Sequence, residues 1–187
     1  MIPIVKTASL IQGFFDRQNW RFCFIGGLAL QAWGEQRVTK DVDLTLLTGF
    51  GSEEKFIDAL LANFQTRLTD AKDFALRNRI VLLQTENGVG IDVALGAIPF
   101  EEEMIKRAVF REYLPQISLK ICTAEDLIVS KAVADRGKDW NDIETILIKQ
   151  DNLDWRYIDE QIKPLAELKY ESDILGRLET LRRQILK

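Results

Sequence analysis

Two carboxylates separated by a single residue, Asp41 and Asp43, are the side chains of this sequence best suited to chemistry. Residues two apart on a strand share one face, so Val42 and Leu44 would pack on the other. Neighbouring carboxylates repel each other unless a cation lies between them. Their hard oxygen atoms suit Mg²⁺, whose coordination is often completed by substrate phosphates. The alternative is a solvated strand end that binds nothing.

Thirteen residues separate two glycines, Gly26 and Gly27, from this acidic pair. A predicted strand over 21–25 runs into them, and a predicted helix over 28–34 follows. This arrangement places bare backbone at a helix N-terminus, where free N–H groups and the helix dipole attract a phosphate. A tight turn between strand and helix is the alternative for the glycines alone. The order and spacing of the two motifs together favour a site for metal and triphosphate.

A third acidic residue, Asp92, stands alone in an otherwise apolar run. The β-rich runs 79–84 and 89–95 flank an Asn-Gly pair at 87–88, which is a strong hairpin signal. A single Asp in an apolar strand is costly to bury unless it is paired or ligated. The alternative is an exposed structural position at the edge of the strand.

The order Gly-Gly, thirteen residues, Asp-hydrophobic-Asp resembles the signature of the DNA polymerase beta-type nucleotidyltransferase superfamily. The resemblance implies that Asp92 joins Asp41 and Asp43 from a neighbouring strand and that all three ligate Mg²⁺. Asp92 would also accept the proton of the acceptor hydroxyl. Gly26 and Gly27 would bind the nucleoside triphosphate, although the superfamily often has Gly-Ser and Gly27 offers backbone only.

A second group of polar residues begins where Thr123 and Asp126 form a predicted capping pair at a helix start. It continues through Lys131 and a short stretch with basic residues between two predicted helices, and it ends with Asp139 and Asp142. The segment resembles the minimal, abortive-infection (AbiEii-type) toxin-like nucleotidyltransferases. The resemblance implies that Lys131 contacts the triphosphate and that the two later Asp residues hold helices or basic side chains in place. The alternative is a solvated pair of helices of mixed charge.

Arg37 belongs to a stretch that the family often writes as Arg-x-Thr-x-Asp. A cation beside two carboxylates would either neutralise them or reach a phosphate of the bound nucleotide. Lys40 is the weaker candidate, because it alternates with Asp41 and would point to the other face.

Composition narrows the chemistry and the setting of the chain. The 187 residues include no histidine, which excludes His-based zinc sites and Ser-His-Asp mechanisms. Cys23 and Cys122 are expected as reduced core residues. No apolar run could span a membrane and no secretory signal is visible, so a cytoplasmic protein is expected. The net charge of −4, with both signs interspersed, argues against binding duplex nucleic acid by bulk charge, although a local patch could dock an RNA end.

The expected fold is α+β: a nucleotidyltransferase fold with a short mixed β-sheet, helices packed on one side, and a helical C-terminal part. The catalytic core would occupy residues 1–122, and the helical part 123–187 would pack on it, or the two would form one domain. Further helices are expected over 5–18, after Ser52 as N-cap, around Tyr157 to Leu165, and from Glu171 to Leu186.

The expected function is Mg²⁺-dependent transfer of a nucleoside monophosphate from a nucleoside triphosphate to an acceptor hydroxyl, with release of pyrophosphate. The acceptor is open between RNA, such as tRNA, and protein. The short length and the segment around Lys131 favour the toxin of a toxin–antitoxin pair, with a cognate antitoxin as partner. The alternative is a catalytically weak nucleotide-binding or antitoxin-like module of the same fold. Retention of all three carboxylates favours the enzyme.

Overall fold

The computed structural model describes residues 2–35, 38–169 and 173–185. Up to residue 122 the chain mixes helices and strands: α1 (Ile2–Arg17), β1 (Phe22–Phe24), α2 (Gly26–Trp33), β2 (Asp41–Leu47), α3 (Glu53–Asn63), β3 (Gln65–Thr66), α4 (Ala71–Asn78), β4 (Ile80–Gln84), β5 (Gly90–Gly96), α5 (Pro99–Arg107), β6 (Val109–Leu114) and β7 (Ile117–Ile121). Four helices follow: α6 (Ala124–Ala134), α7 (Gly137–Lys149), α8 (Trp155–Ala166) and α9 (Ile174–Ile185).

The strands of the described residues form a seven-stranded mixed sheet in the order β3-β4-β5-β2-β1-β7-β6. Strand β2 lies near its centre, parallel to β5 and antiparallel to β1. The predicted hairpin is confirmed: β4 and β5 are antiparallel, and Gly88 in their turn has φ +79°. The mixed α+β sheet flanked by helices is therefore as the sequence predicts.

The two faces of the sheet carry different residues, because successive side chains of a strand point to opposite faces. Val42 and Leu44 are fully buried on one face, as predicted, and α1 packs there, with the Phe15 and Phe22 rings 5.0 Å apart. Helix α5 packs on the other face. A Cβ placed on Gly96 would lie 2.8 Å from Thr45 Cγ2 and 3.4 Å from Glu101 Cβ. The expectation of helices on one side only is wrong, because small residues at this end of β2 and β5 let α5 approach.

The chain divides into two compact units, Met1–Leu28 with Val38–Cys122, and Ala29–Arg37 with Thr123–Lys187. In the second unit, the predicted cap is present: Asp126 N–H donates to Thr123 Oγ1 at 3.3 Å. The predicted helices near 157–165 and in the C-terminal region are observed as α8 and α9. The expected ends of the last helix, Glu171 and Leu186, lie outside the described residues.

Both cysteines are buried and neither forms a disulfide, as the sequence predicts. In the part of the chain that the structure describes, no helix is both long and apolar enough to cross a membrane.

Candidate active site

The parallel pairing of β2 and β5 brings the three predicted carboxylates onto one face of the sheet. Asp43 lies directly opposite Asp92, and Asp41 lies opposite Gly90. Adjacent strands are about 4.8 Å apart, and residues in register point to the same face. Asp41 is close enough to Asp92 for its charge to raise the pKa of that carboxyl. We refer to Asp41, Asp43 and Asp92 as the carboxylate row.

Two glycines leave room for the carboxylate row. A Cβ on Gly26 would lie 2.2 Å from Asp43 Oδ2, and a Cβ on Gly90 would lie 2.2 Å from Asp41 Oδ1. Both distances are far below van der Waals contact, so any side chain at either position would displace a carboxylate. Gly26 also has φ +56°, a conformation that favours glycine. Gly26 therefore leaves the space that the Asp43 carboxylate occupies, in addition to the phosphate-binding role expected from the sequence.

The N-terminus of α2 faces this row. The Gly27 N–H donates to Asp43 Oδ2 over a long 3.5 Å, so this donor is only weakly engaged. Beside it, Thr39 Oγ1 lies 2.5 Å from the position that a Cβ on Gly27 would take. The Thr39 hydroxyl donates to the Asp41 carbonyl oxygen at 3.1 Å. A hydroxyl thus lies next to Gly27 although the chain lacks the Gly-Ser pattern.

Asp92 is held by a cation that the sequence patterns do not reveal. Arg67 Nη2 donates to Asp92 Oδ1, and both side chains are only 30% and 28% exposed. Burial raises the pKa of the Asp92 carboxyl, the charge and hydrogen bond of Arg67 lower it, and the net direction is upward. Arg67 reaches this place because its N–H donates to the carbonyl of Leu82, whose register partner is Asp92.

The donor type of the row suits Mg²⁺, since all three side chains offer hard carboxylate oxygens. Among the described residues, however, no three His, Cys, Asp or Glu side chains already converge as metal ligands. The ion pair with Arg67 occupies an oxygen of Asp92. A divalent cation that used all three side chains would need Asp92 to turn from Arg67 toward Asp41 and Asp43.

Lys131 lies in α6 and is buried together with two acidic partners. Its Nζ donates to Asp142 Oδ2 at 2.6 Å and to Asp139 Oδ1 at 3.5 Å. The three residues are 6%, 6% and 1% exposed, respectively, so the solvated interpretation of this helix pair is wrong. Burial acts to raise the pKa of Asp139, but the Arg136 hydrogen bond and the Lys131 charge outweigh it and lower the pKa. Contact of Lys131 with a triphosphate stays a prediction. Arg37 lies outside the described residues.

Comparisons with known proteins find one matching family model and several similar folds. A family model described as "Nucleotidyl transferase AbiEii toxin, Type IV TA system" matches residues 14–185. The fold is similar to the crystal structure of an antigenic nucleotidyltransferase-like protein from Paracoccidioides brasiliensis, with a TM-score of 0.54 and 13% identity over 94% of this chain and 92% of that one. The lincomycin-bound lincosamide antibiotic adenylyltransferase LnuA is 13% identical, with a TM-score of 0.49 over 73% of this chain and 92% of that one. A search of curated protein sequences finds no match.

Proposed function

Because this chain belongs to the AbiEii nucleotidyltransferase toxin family of type IV toxin–antitoxin systems, it is a nucleotidyltransferase, and we propose that its activity depends on Mg²⁺ held by the carboxylate row. The observation that carries this proposal is the register of β2 and β5, which sets Asp92 opposite Asp43 on the face that Asp41 shares. Bound Mg²⁺ would neutralise phosphate charge and lower the pKa of the acceptor hydroxyl.

The residues of the site divide the work in this proposal. Asp41, Asp43 and Asp92 would hold the metal, and the N–H groups at the start of α2, at Gly26 and Gly27, bind phosphate oxygens. The acceptor oxygen attacks the α-phosphorus, the bond to the bridging oxygen breaks, and pyrophosphate leaves with that electron pair. Asp92 takes the proton of the acceptor hydroxyl.

The acceptor and partners are also part of the proposal. We infer that the acceptor hydroxyl belongs to RNA, such as tRNA, or to a protein, and that a cognate antitoxin controls the chain as a toxin. Incubation with labelled triphosphates and separate pools of total RNA and total protein tests the acceptor, because label should enter one pool and require Mg²⁺. Triphosphate binding without label in either pool would favour the catalytically weak alternative.

Replacement of both paired acids tests the metal site. Asp41→Asn with Asp43→Asn should abolish Mg²⁺-dependent binding of a nucleoside triphosphate, measured by calorimetry. Thermal stability should be kept or raised, because two repelling charges are removed. The control is Asp16→Asn with Asp73→Asn, which removes the same charge from two exposed helix positions. Equal triphosphate affinity in the wild type and the Asp41/Asp43 variant would refute the assignment.

A further inference from the structure

Arg67 is a cation beside the proposed metal site that the proposed function does not use. Its guanidinium forms an ion pair with Asp92, and both side chains are more than two thirds covered. A point beside Gly90, where a Cβ would stand, lies 3.2 Å from Arg67 Nη1 and 2.2 Å from Asp41 Oδ1. The guanidinium therefore lies over the bare backbone of Gly90, with Asp92 and Asp41 as its acidic neighbours.

The backbone fixes where the Arg67 side chain starts. The Arg67 N–H donates to the Leu82 carbonyl at 3.1 Å, which extends the pairing of β3 with β4 by one residue. Leu82 in turn lies opposite Asp92 on β5. The pairing of neighbouring strands thus fixes how far the Arg67 backbone lies from Asp92. The ion pair is therefore part of the sheet and does not depend on a flexible loop.

A guanidinium and a divalent cation compete for the same carboxylate. Asp92 Oδ1 accepts a hydrogen bond from Arg67 Nη2 in this structure, and a second positive charge beside this pair is repelled by the guanidinium. Partial burial strengthens both the attraction and the repulsion compared with an exposed pair. A metal ion that binds Asp92 through Oδ1 must therefore displace Arg67, and one that binds through Oδ2 is still repelled by the guanidinium.

We propose that Arg67 is a positioning residue that holds Asp92 on the metal face before metal arrives and that sets the metal affinity of the carboxylate row by competing for Asp92. This inference rests on the proposed function, because it takes the row as the metal site. In this inference, Arg67 neutralises the charge of Asp92 while no metal is bound and releases Asp92 when a divalent cation binds.

The test measures binding of Mn²⁺ alone to the full chain, without nucleotide, by the loss of the free Mn²⁺ signal in electron paramagnetic resonance. Arg67→Ala should bind Mn²⁺ about tenfold or more tightly than the wild type, because the competing cation is gone. Arg67→Lys should stay close to the wild type, since it keeps the charge. Arg77→Ala is the matched control: it removes an equal charge from an exposed pair with Asp70 and should leave Mn²⁺ affinity unchanged.

A second background separates release of Asp92 from general charge repulsion. In Asp92→Asn, the further change Arg67→Ala should improve Mn²⁺ affinity by no more than about threefold, because the ion pair no longer exists. A full tenfold gain in that background would overturn the inference. Arg67→Gln, which keeps a polar side chain without the charge, should show the same gain as Arg67→Ala and provides the measurement if Arg67→Ala does not fold.

The outcomes distinguish this inference from the function on which it rests. Equal or weaker Mn²⁺ affinity in Arg67→Ala and Arg67→Gln, with binding still lost in the Asp41/Asp43 double variant, overturns the role of Arg67 and leaves the metal site standing. Absence of Mn²⁺ binding from the wild type and every variant overturns both.

Discussion

Gly26 and Gly49 share a left-handed backbone, with φ +56° and +72°, but their surroundings differ. A Cβ on Gly49 would meet nothing within 4 Å, whereas a Cβ on Gly26 would overlap the Asp43 carboxylate. The two positions therefore separate the backbone requirement for glycine from the space requirement of the carboxylate row.

We expect Gly49→Ala to lower the free energy of unfolding by about 1–2 kcal/mol, the cost of a left-handed L-residue. Gly26→Ala should lose roughly 1–3 kcal/mol more, since the added methyl forces neighbouring atoms to move. It should also remove Mg²⁺-dependent triphosphate binding, because Asp43 is displaced. Urea unfolding and calorimetry on both variants check this. Similar losses of stability and intact binding in both would show that the space at Gly26 is not needed for the site.

Asp41, Asp43 and Asp92 could be selected from the sequence because each is an acidic residue next to apolar residues in a run typical of a strand. A local pattern is enough to show that. Arg67 could not be selected in the same way. It follows the two-residue strand β3 and belongs to no motif, and its partner is decided by the register of β3, β4 and β5. Cross-strand register over three strands is not encoded in the residues near Arg67.

Among helices and strands, those with a periodic apolar face or a standard turn signal were predictable. The hairpin of β6 and β7 was not. Its turn contains Gln116 with φ +68° where Asn-Gly or Asp-Gly would signal a tight turn. Half of strand β6 is exposed, including Phe110 at 61%, and none of its residues is buried, so it shows no alternation of buried and exposed positions. As an edge strand it pairs with one neighbouring strand only. Its residues therefore lack the apolar pattern that marks a buried strand in a sequence.

The contact of α6 with α7 through Lys131, Asp139 and Asp142 gives a pH-dependent contribution to stability. Because the folded state lowers the pKa of Asp139, its stabilisation is present above the unfolded pKa of about 3.9 and is lost as the pH falls below that value. At pH values under about 4, we therefore expect the melting temperature to decrease, for this reason among others.

Asp139→Asn isolates this contribution. At pH 7 the variant should lose about 1–3 kcal/mol, because Lys131 loses one of two buried acidic partners and keeps Asp142. The difference from the wild type should narrow as the pH falls below about 4, because the unfolded wild-type chain binds a proton at Asp139 there before the folded chain does. Thermal unfolding from pH 3 to 7 measures this, with exposed Asp151→Asn as the control. A difference that is constant across this range would mean that ionisation of Asp139 does not stabilise the fold.

Over the whole chain, the change from mixed to nearly continuous helical character near residue 123 is visible in the sequence and coincides with the start of α6. The sequence does not show that residues 29–37 group with that helical part. Three long-range hydrogen bonds account for the grouping: Glu35 N–H to Thr145 Oγ1 at 3.2 Å, Lys149 Nζ to the Gly34 carbonyl at 2.9 Å, and Gln150 Nε2 to the Trp33 carbonyl at 2.8 Å. Such contacts join distant segments and leave no local pattern.

The parallel pairing of β2 with β5 has a consequence for the order of folding. Parallel neighbours need a crossover connection, and here the chain between Asp43 and Asp92 contains α3, β3, α4 and β4. The entropy of closing that segment must be lost before the two strands can pair, so this register forms slowly compared with the local hairpin of β4 and β5. We expect Mn²⁺ binding to appear in refolding with the slowest major phase, after most helical circular dichroism has returned. The metal would then report on completed native chains only, and a partly folded chain would carry no nucleotidyltransferase activity.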